Sequence, residues 1–197
     1  MHLELFIIIF IISCFLLYMY FKISNPDMTY IKSDIDNEYY LVRNVSDGKE
    51  AANVLARMKQ NLHNLTEHLY KNISADENKD YVEYIDRLHN KINNIVILES
   101  TQDSIYTSYS KGKGEQIVFC VRSRKNNDIH DINIMMYVAL HEISHVACPI
   151  YDNHGPLFKK IFAFITNTAI KINIYNKSDY KTSPVEYCGL QITESIV

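Results

Sequence analysis

The chain has no tryptophan, no CxxC pair, no arginine-rich stripe and no basic tail. Without a concentrated basic surface it lacks the electrostatic footprint of a nucleic-acid-binding protein. Its 20 basic and 23 acidic residues are mixed along the sequence, for a net charge of −3. No internal repeat and no low-complexity segment is present, and 197 residues suit one well-packed domain rather than two. The four cysteines are Cys14, Cys120, Cys148 and Cys188. They match no disulfide framework and leave an odd number outside the N-terminus, so a reducing compartment is expected. Sequons at Asn44, Asn64, Asn72 and Asn176 weigh against this only mildly, because about two would arise by chance in so Asn-rich a chain.

Residues 3–21 read LELFIIIFIISCFLLYMYF, with Glu4 as the only charge. At 1.5 Å per residue this run spans about 28 Å as a helix, close to the hydrocarbon thickness of a bilayer. With no basic stretch before it and no small-x-small site after it, the run reads as a single-pass N-terminal transmembrane anchor rather than a cleaved signal. Tyr18, Tyr20 and Phe21 would form the interfacial belt. Lys22 after the run, against Glu4 before it, leans the remaining domain towards the cytoplasmic side.

Asn25-Pro26-Asp27 is expected to break this helix and begin a connector. Three stretches follow: residues 1–24 as anchor, 25–46 as connector and 47–197 as the domain. Residues 39–42 suggest a short strand. Ser46 or Asp47 can cap a helix reaching about Ile73, since Val54, Leu55, Met58, Leu62, Leu65 and Leu69 recur at three and four. A second helix is expected over about 77–93. Strands are expected at 95–98 and, most clearly, at 116–122 (QIVFCVR), with a turn at Gly112 and Gly114 between them. Asp131 caps a strongly apolar helix. Helices, then a small sheet, then two more helices make an α+β domain.

His141-Glu142-Ile143-Ser144-His145 is an HExxH motif within that last apolar helix. Residues four apart share a helical face, so His141 and His145 can grip one metal ion through their imidazole nitrogens. Glu142, one step round, can act as general base on a water at the metal without being a ligand. A chance HExxH is expected in about one chain in fifty, and the helical setting lowers that further. A catalytic site needs a third ligand and an open fourth position. The segment 159–176 contains no acid, which removes a glutamate ligand on the following helix. No methionine follows Met136, which removes a Met-turn. Cys148 lies three residues beyond His145 on the same helix and reads as a small buried side chain. His154 stands at the start of the next helix, with Pro156 in its first turn, and is the expected third ligand.

HEISH, eight intervening residues and then HGPLF together resemble the active-site pattern of SprT-like peptidases, and the segment 131–164 is also similar to WLM peptidases. The resemblance points to small viral and cellular zincins, those of large DNA viruses included, as the neighbourhood of this chain. The resemblance implies a small zincin-like domain with a mixed sheet, one zinc ion per chain on His141, His145 and His154, Glu142 as general base, and a protein or peptide substrate. It does not bring over the DNA–protein crosslink repair of some relatives, because no DNA-binding extension is present and no nucleic-acid partner is expected. The expected function is therefore a membrane-tethered zinc endopeptidase. The alternative is a zinc-holding interaction module at a membrane that cleaves nothing, for which Glu142 would have no use.

Supporting groups stay open. Residues 116–122 could pair with an extended substrate or be an ordinary sheet strand. Tyr175, Tyr180 and Tyr187 are candidates for stabilising an oxyanion. His63, His68, His89 and His130 lack ligand spacing and are expected at the surface or at helix ends.

Overall fold

The computed structural model describes residues 2–24, 27–112, 114–149 and 152–197. In its first helix it describes the side chains of Glu4 and of residues 6–21. The elements run α1 (His2–Ser24), β1 (Met28–Lys32), β2 (Tyr39–Arg43), α2 (Gly48–Lys71), a 3-10 turn (Asp76–Tyr81), α3 (Val82–Ile92), β3 (Val96–Glu99), β4 (Tyr109–Lys111), β5 (Gln116–Phe119), α4 (Ile132–Ala147), α5 (Pro156–Lys171), β6 (Val185–Tyr187) and β7 (Leu190–Ile192).

The expected α+β class holds, but the transmembrane helix assigned to it does not. Among the described residues no helix is long and apolar enough to cross a membrane. The single-pass anchor, and the placement of the domain relative to a membrane, are corrected accordingly. The Asn25-Pro26 break and the Lys22 side chain lie outside the described residues.

Helix α2 forms because its apolar residues return every three or four positions, and Leu55, Met58, Leu62, Leu65 and Leu69 are all buried. It packs on α3, whose Ile85, Leu88 and Ile92 form the matching stripe, and on α4. Burial on nearly every side makes α4 the central element: Ile134, Met135, Met136, Ala139, Leu140, Ile143, Val146 and Ala147 are all in the core. Both of its ends are fixed. The Asp131 carboxylate accepts from the Asn133 N–H at 2.8 Å, an N-cap of the expected kind. At the other end, Arg87 of α3 donates to the Ala147 carbonyl at 3.0 Å.

A three-stranded mixed sheet in the order β3-β5-β4 lies beside the helices, with β5 parallel to β3 and antiparallel to β4. Residues 28–32, read as connector, instead form β1, paired antiparallel with β2 from Met28↔Arg43 to Lys32↔Tyr39. Buried Glu99 ties the layers together. One carboxylate oxygen accepts from the Arg43 N–H at 2.7 Å, and the other accepts from Arg122 Nε at 2.9 Å.

The cysteine reading is also corrected. Cys120 and Cys188 form a disulfide across 68 residues of sequence, with both residues buried. Pairing over such a distance leaves no local spacing to read. On chain-entropy grounds a loop of this length is worth about 4 kcal/mol. The bridge joins the strand end after β5 to the β6–β7 hairpin, so the cysteines no longer point to a reducing compartment.

Candidate metal centre

Helix α4 carries His141 and His145 one turn apart, and the α4–α5 connection returns His154 to them. That return is built by Asp152, whose carboxylate accepts from the Phe158 N–H at 2.6 Å and whose carbonyl accepts from the Gly155 N–H at 2.6 Å. A β-carbon on Gly155 would stand 2.4 Å from the Asp152 carboxylate, so only glycine fits this bend. Pro156 then opens α5 at a first-turn position, where its missing N–H is no loss. Phe158 completes the segment. Its ring stacks on His145 with centroids 4.3 Å apart and meets His141 and His154 edge-on, each at 5.0 Å.

The result is a triangle of Nε2 atoms. The separations are 3.1 Å between His141 and His154, 3.2 Å between His141 and His145, and 3.0 Å between His145 and His154. Three nitrogens about 2.0–2.1 Å from a tetrahedral metal would stand about 3.3–3.4 Å apart, so the triangle is close to a three-imidazole ligand set. Hydrogen bonding alone accounts for it badly, since each Nε2 offers one proton or one lone pair in the ring plane and can serve one neighbour. The three histidines could therefore hold a metal ion. Burial, and then the neighbouring His145 and His154, push the His141 imidazole down to about 4, which leaves it neutral and able to ligate at ordinary pH. Cys148 is buried at the end of α4, outside this set.

Glu142 is 6% exposed and lies on the wall of the same cleft, a cavity of about 690 Å³. Burial pushes its carboxyl up to about 7. A folded-state value above the unfolded 4.5 means that Glu142 favours folding fully below pH 4.5. That contribution is lost as pH rises through about 7. Metal-free protein should thus lose on the order of 3 kcal/mol relative to metal-free Glu142→Gln over this window. Denaturant titrations of both proteins across pH check this. A pH-independent difference would show that the carboxyl is solvated.

Of the three candidate tyrosines, only Tyr187 reaches the cleft. Its hydroxyl lies 2.6 Å from Ser108 Oγ, which also accepts from the Cys120 N–H at 3.3 Å. Tyr175 donates to Tyr180 at 3.1 Å, and both are spent in the core. His130 is buried rather than at the surface. Its Nε2 accepts from the Cys188 N–H at 3.1 Å, and its ring lies 4.9 Å from that of Tyr187. His89 stacks on Tyr70 at 3.6 Å and, with His63 and His68, stands apart from the site. Of the two readings of residues 116–122, ordinary membership holds, because β5 has a strand on each side. The sheet edge beside the cleft is β4, and Ser108, Tyr109 and Ser110 line the cavity. Those residues carry no sequence signal beyond short alternation, and neither does the hairpin that supplies Tyr187, Leu190 and Ile192.

No protein-family model matches the chain. It is 42% identical over 182 residues to the uncharacterized protein R325 of Acanthamoeba polyphaga mimivirus, covering 92% of this chain and 91% of that one. It is 32% identical over 76 residues to the uncharacterized protein 136R of Invertebrate iridescent virus 6, covering 38% of this chain and 41% of that one. Among solved structures, Wss1 from Saccharomyces cerevisiae aligns over 48% of this chain and 82% of its own. The TM-score of 0.34 and identity of 16% are too slight to assign a fold. At 42% identity along nearly the full length of both sequences, the chain belongs to the same protein family as mimivirus protein R325.

Proposed function

We propose that this protein is a zinc-dependent endopeptidase. The observation that carries the reading is the convergence of three imidazole nitrogens within 3.2 Å of one another in an open cleft that also holds a buried carboxyl outside the ligand set. A three-histidine set with no thiolate suits zinc and leaves a fourth position for chemistry. His141, His145 and His154 would hold the ion, which when bound supplies Lewis acidity that polarises a substrate carbonyl and acidifies water.

The chain's own groups supply the rest. Glu142, buried on the cleft wall and outside the ligand set, accepts the proton of the attacking water and returns it to the departing amine. Tyr187, oriented by Ser108, donates its hydroxyl to the oxygen on which negative charge develops. The open side of β4 offers backbone groups to which an extended peptide can add as a further strand. The HEISH…HGPLF resemblance to SprT-like and WLM peptidases supports the same assignment.

The full chain should contain one zinc ion, measured by metal analysis. It should cleave unstructured peptides, lose that activity to a chelator and recover it when zinc is restored. Zinc binding without cleavage across a broad peptide library would favour the interaction module, and absence of zinc would remove both readings.

A further inference from the structure

We propose that the β6–β7 hairpin and the turn of α4 ahead of the histidines form an apolar side-chain subsite. Through it the protein would select peptides with a large aliphatic or aromatic residue at one fixed position beside the scissile bond, and reject charged residues there. The peptidase reading above supplies the identity of the ligand as a peptide; the subsite itself follows from the wall of the cleft.

One half of that wall is dictated by helical spacing. Tyr137 and Val138 precede His141 by four and three residues, so they lie on its face and line the same cavity. The Tyr137 hydroxyl is already used, accepting from the Ile196 N–H at 3.0 Å, which leaves the body of the ring as the surface offered. The other half is dictated by hairpin register. Cys188 and Gly189, with φ of 52° and 84°, form a two-residue turn of the primed type that pairs Tyr187 with Leu190 and Val185 with Ile192. Alternation then sends Tyr187, Leu190 and Ile192 to one side, where all three line the cleft, and Glu186 and Gln191 to the other.

Two further observations give the subsite its selectivity. Leu190 is 60% exposed at the cleft rim, an apolar surface that a substrate side chain would cover. Among the described lining residues there is no lysine, arginine or aspartate, and Glu142 is the sole acid. A charged side chain entering here would lose its water and find no countercharge beyond the catalytic groups, while an apolar one gains by burial. The wall is also held in advance of substrate, by the Cys120–Cys188 bridge, the His130–Cys188 hydrogen bond and the Ser108–Tyr187 contact.

The test uses peptide sets varied at single positions, with two readouts: cleavage by the zinc-loaded wild type, and binding by zinc-loaded Glu142→Gln. Leu, Met or Phe should be favoured over Asp or Lys at one position by more than about tenfold, since a single methylene in such a pocket discriminates by about 10–200-fold. Leu190→Asp, a change at an exposed position whose folding a thermal melt checks, should cut this preference about tenfold and raise the standing of Lys. Equal binding of apolar and charged peptides, or an unchanged preference in Leu190→Asp, overturns the subsite. Cleavage without preference leaves the peptidase reading intact and removes the subsite. Apolar preference in binding with no cleavage of any peptide does the reverse.

Discussion

Glu142→Gln should retain its zinc and its fold while peptide cleavage falls about 10²- to 10⁴-fold, the range that general-base catalysis supplies. Glutamine keeps the volume of glutamate, so the packing around a residue that is 6% exposed survives. The carboxyl is not one of the three groups that could hold a metal ion, so metal content should match the wild type. What is lost is a proton acceptor. The amide cannot take the proton of the attacking water, whatever polarises the carbonyl. Metal analysis, a thermal melt and steady-state cleavage on the same preparation separate the terms. Equal cleavage by the two proteins, both zinc-loaded, would remove Glu142 from the mechanism.

His154→Ala should reduce zinc affinity by more than the 10- to 100-fold that loss of an outer partner of a ligand typically costs, because it takes away one of three ligands outright. Little else should change. The side chain is exposed, and the bend that presents it is held by Asp152 and Gly155 rather than by the imidazole itself. Competition with a calibrated chelator gives the affinity, and cleavage should fall in step with occupancy. If His154→Ala binds zinc as tightly as the wild type, the third ligand lies elsewhere and the Nε2 triangle is a coincidence of packing.

The helical parts of the site were legible because both signals are local. HExxH places two imidazoles one turn apart wherever the helix forms, and Asp131 marks its start. Pro156 likewise marks the start of α5, which carries His154 back. The wall opposite was not legible. Tyr187 stood among 15 tyrosines, and what singles it out is Ser108, which is 79 residues away in sequence. The edge of the sheet stayed open, because residues 116–122 were the only clear strand beside the motif helix and are strongly apolar. Apolar strands belong in the middle of a sheet, and the three residues of β4 at the edge are YSK. The N-terminal run misled in a different way. Its composition matched a membrane span, but the described helix falls short of one. His130 lacked ligand spacing and so looked peripheral, yet it is a buried prop of the hairpin.

The bridge between Cys120 and Cys188 has both of its residues within the core, at 0% and 1% exposure. A reductant added to the finished fold meets neither sulfur without first opening the molecule. The state of the bond is therefore settled while the chain folds and is then carried as a record of how it was made. Two batches of one sequence, folded with and without an oxidant, would be two different materials, alike along helix α4 and unlike along the wall that carries Tyr187.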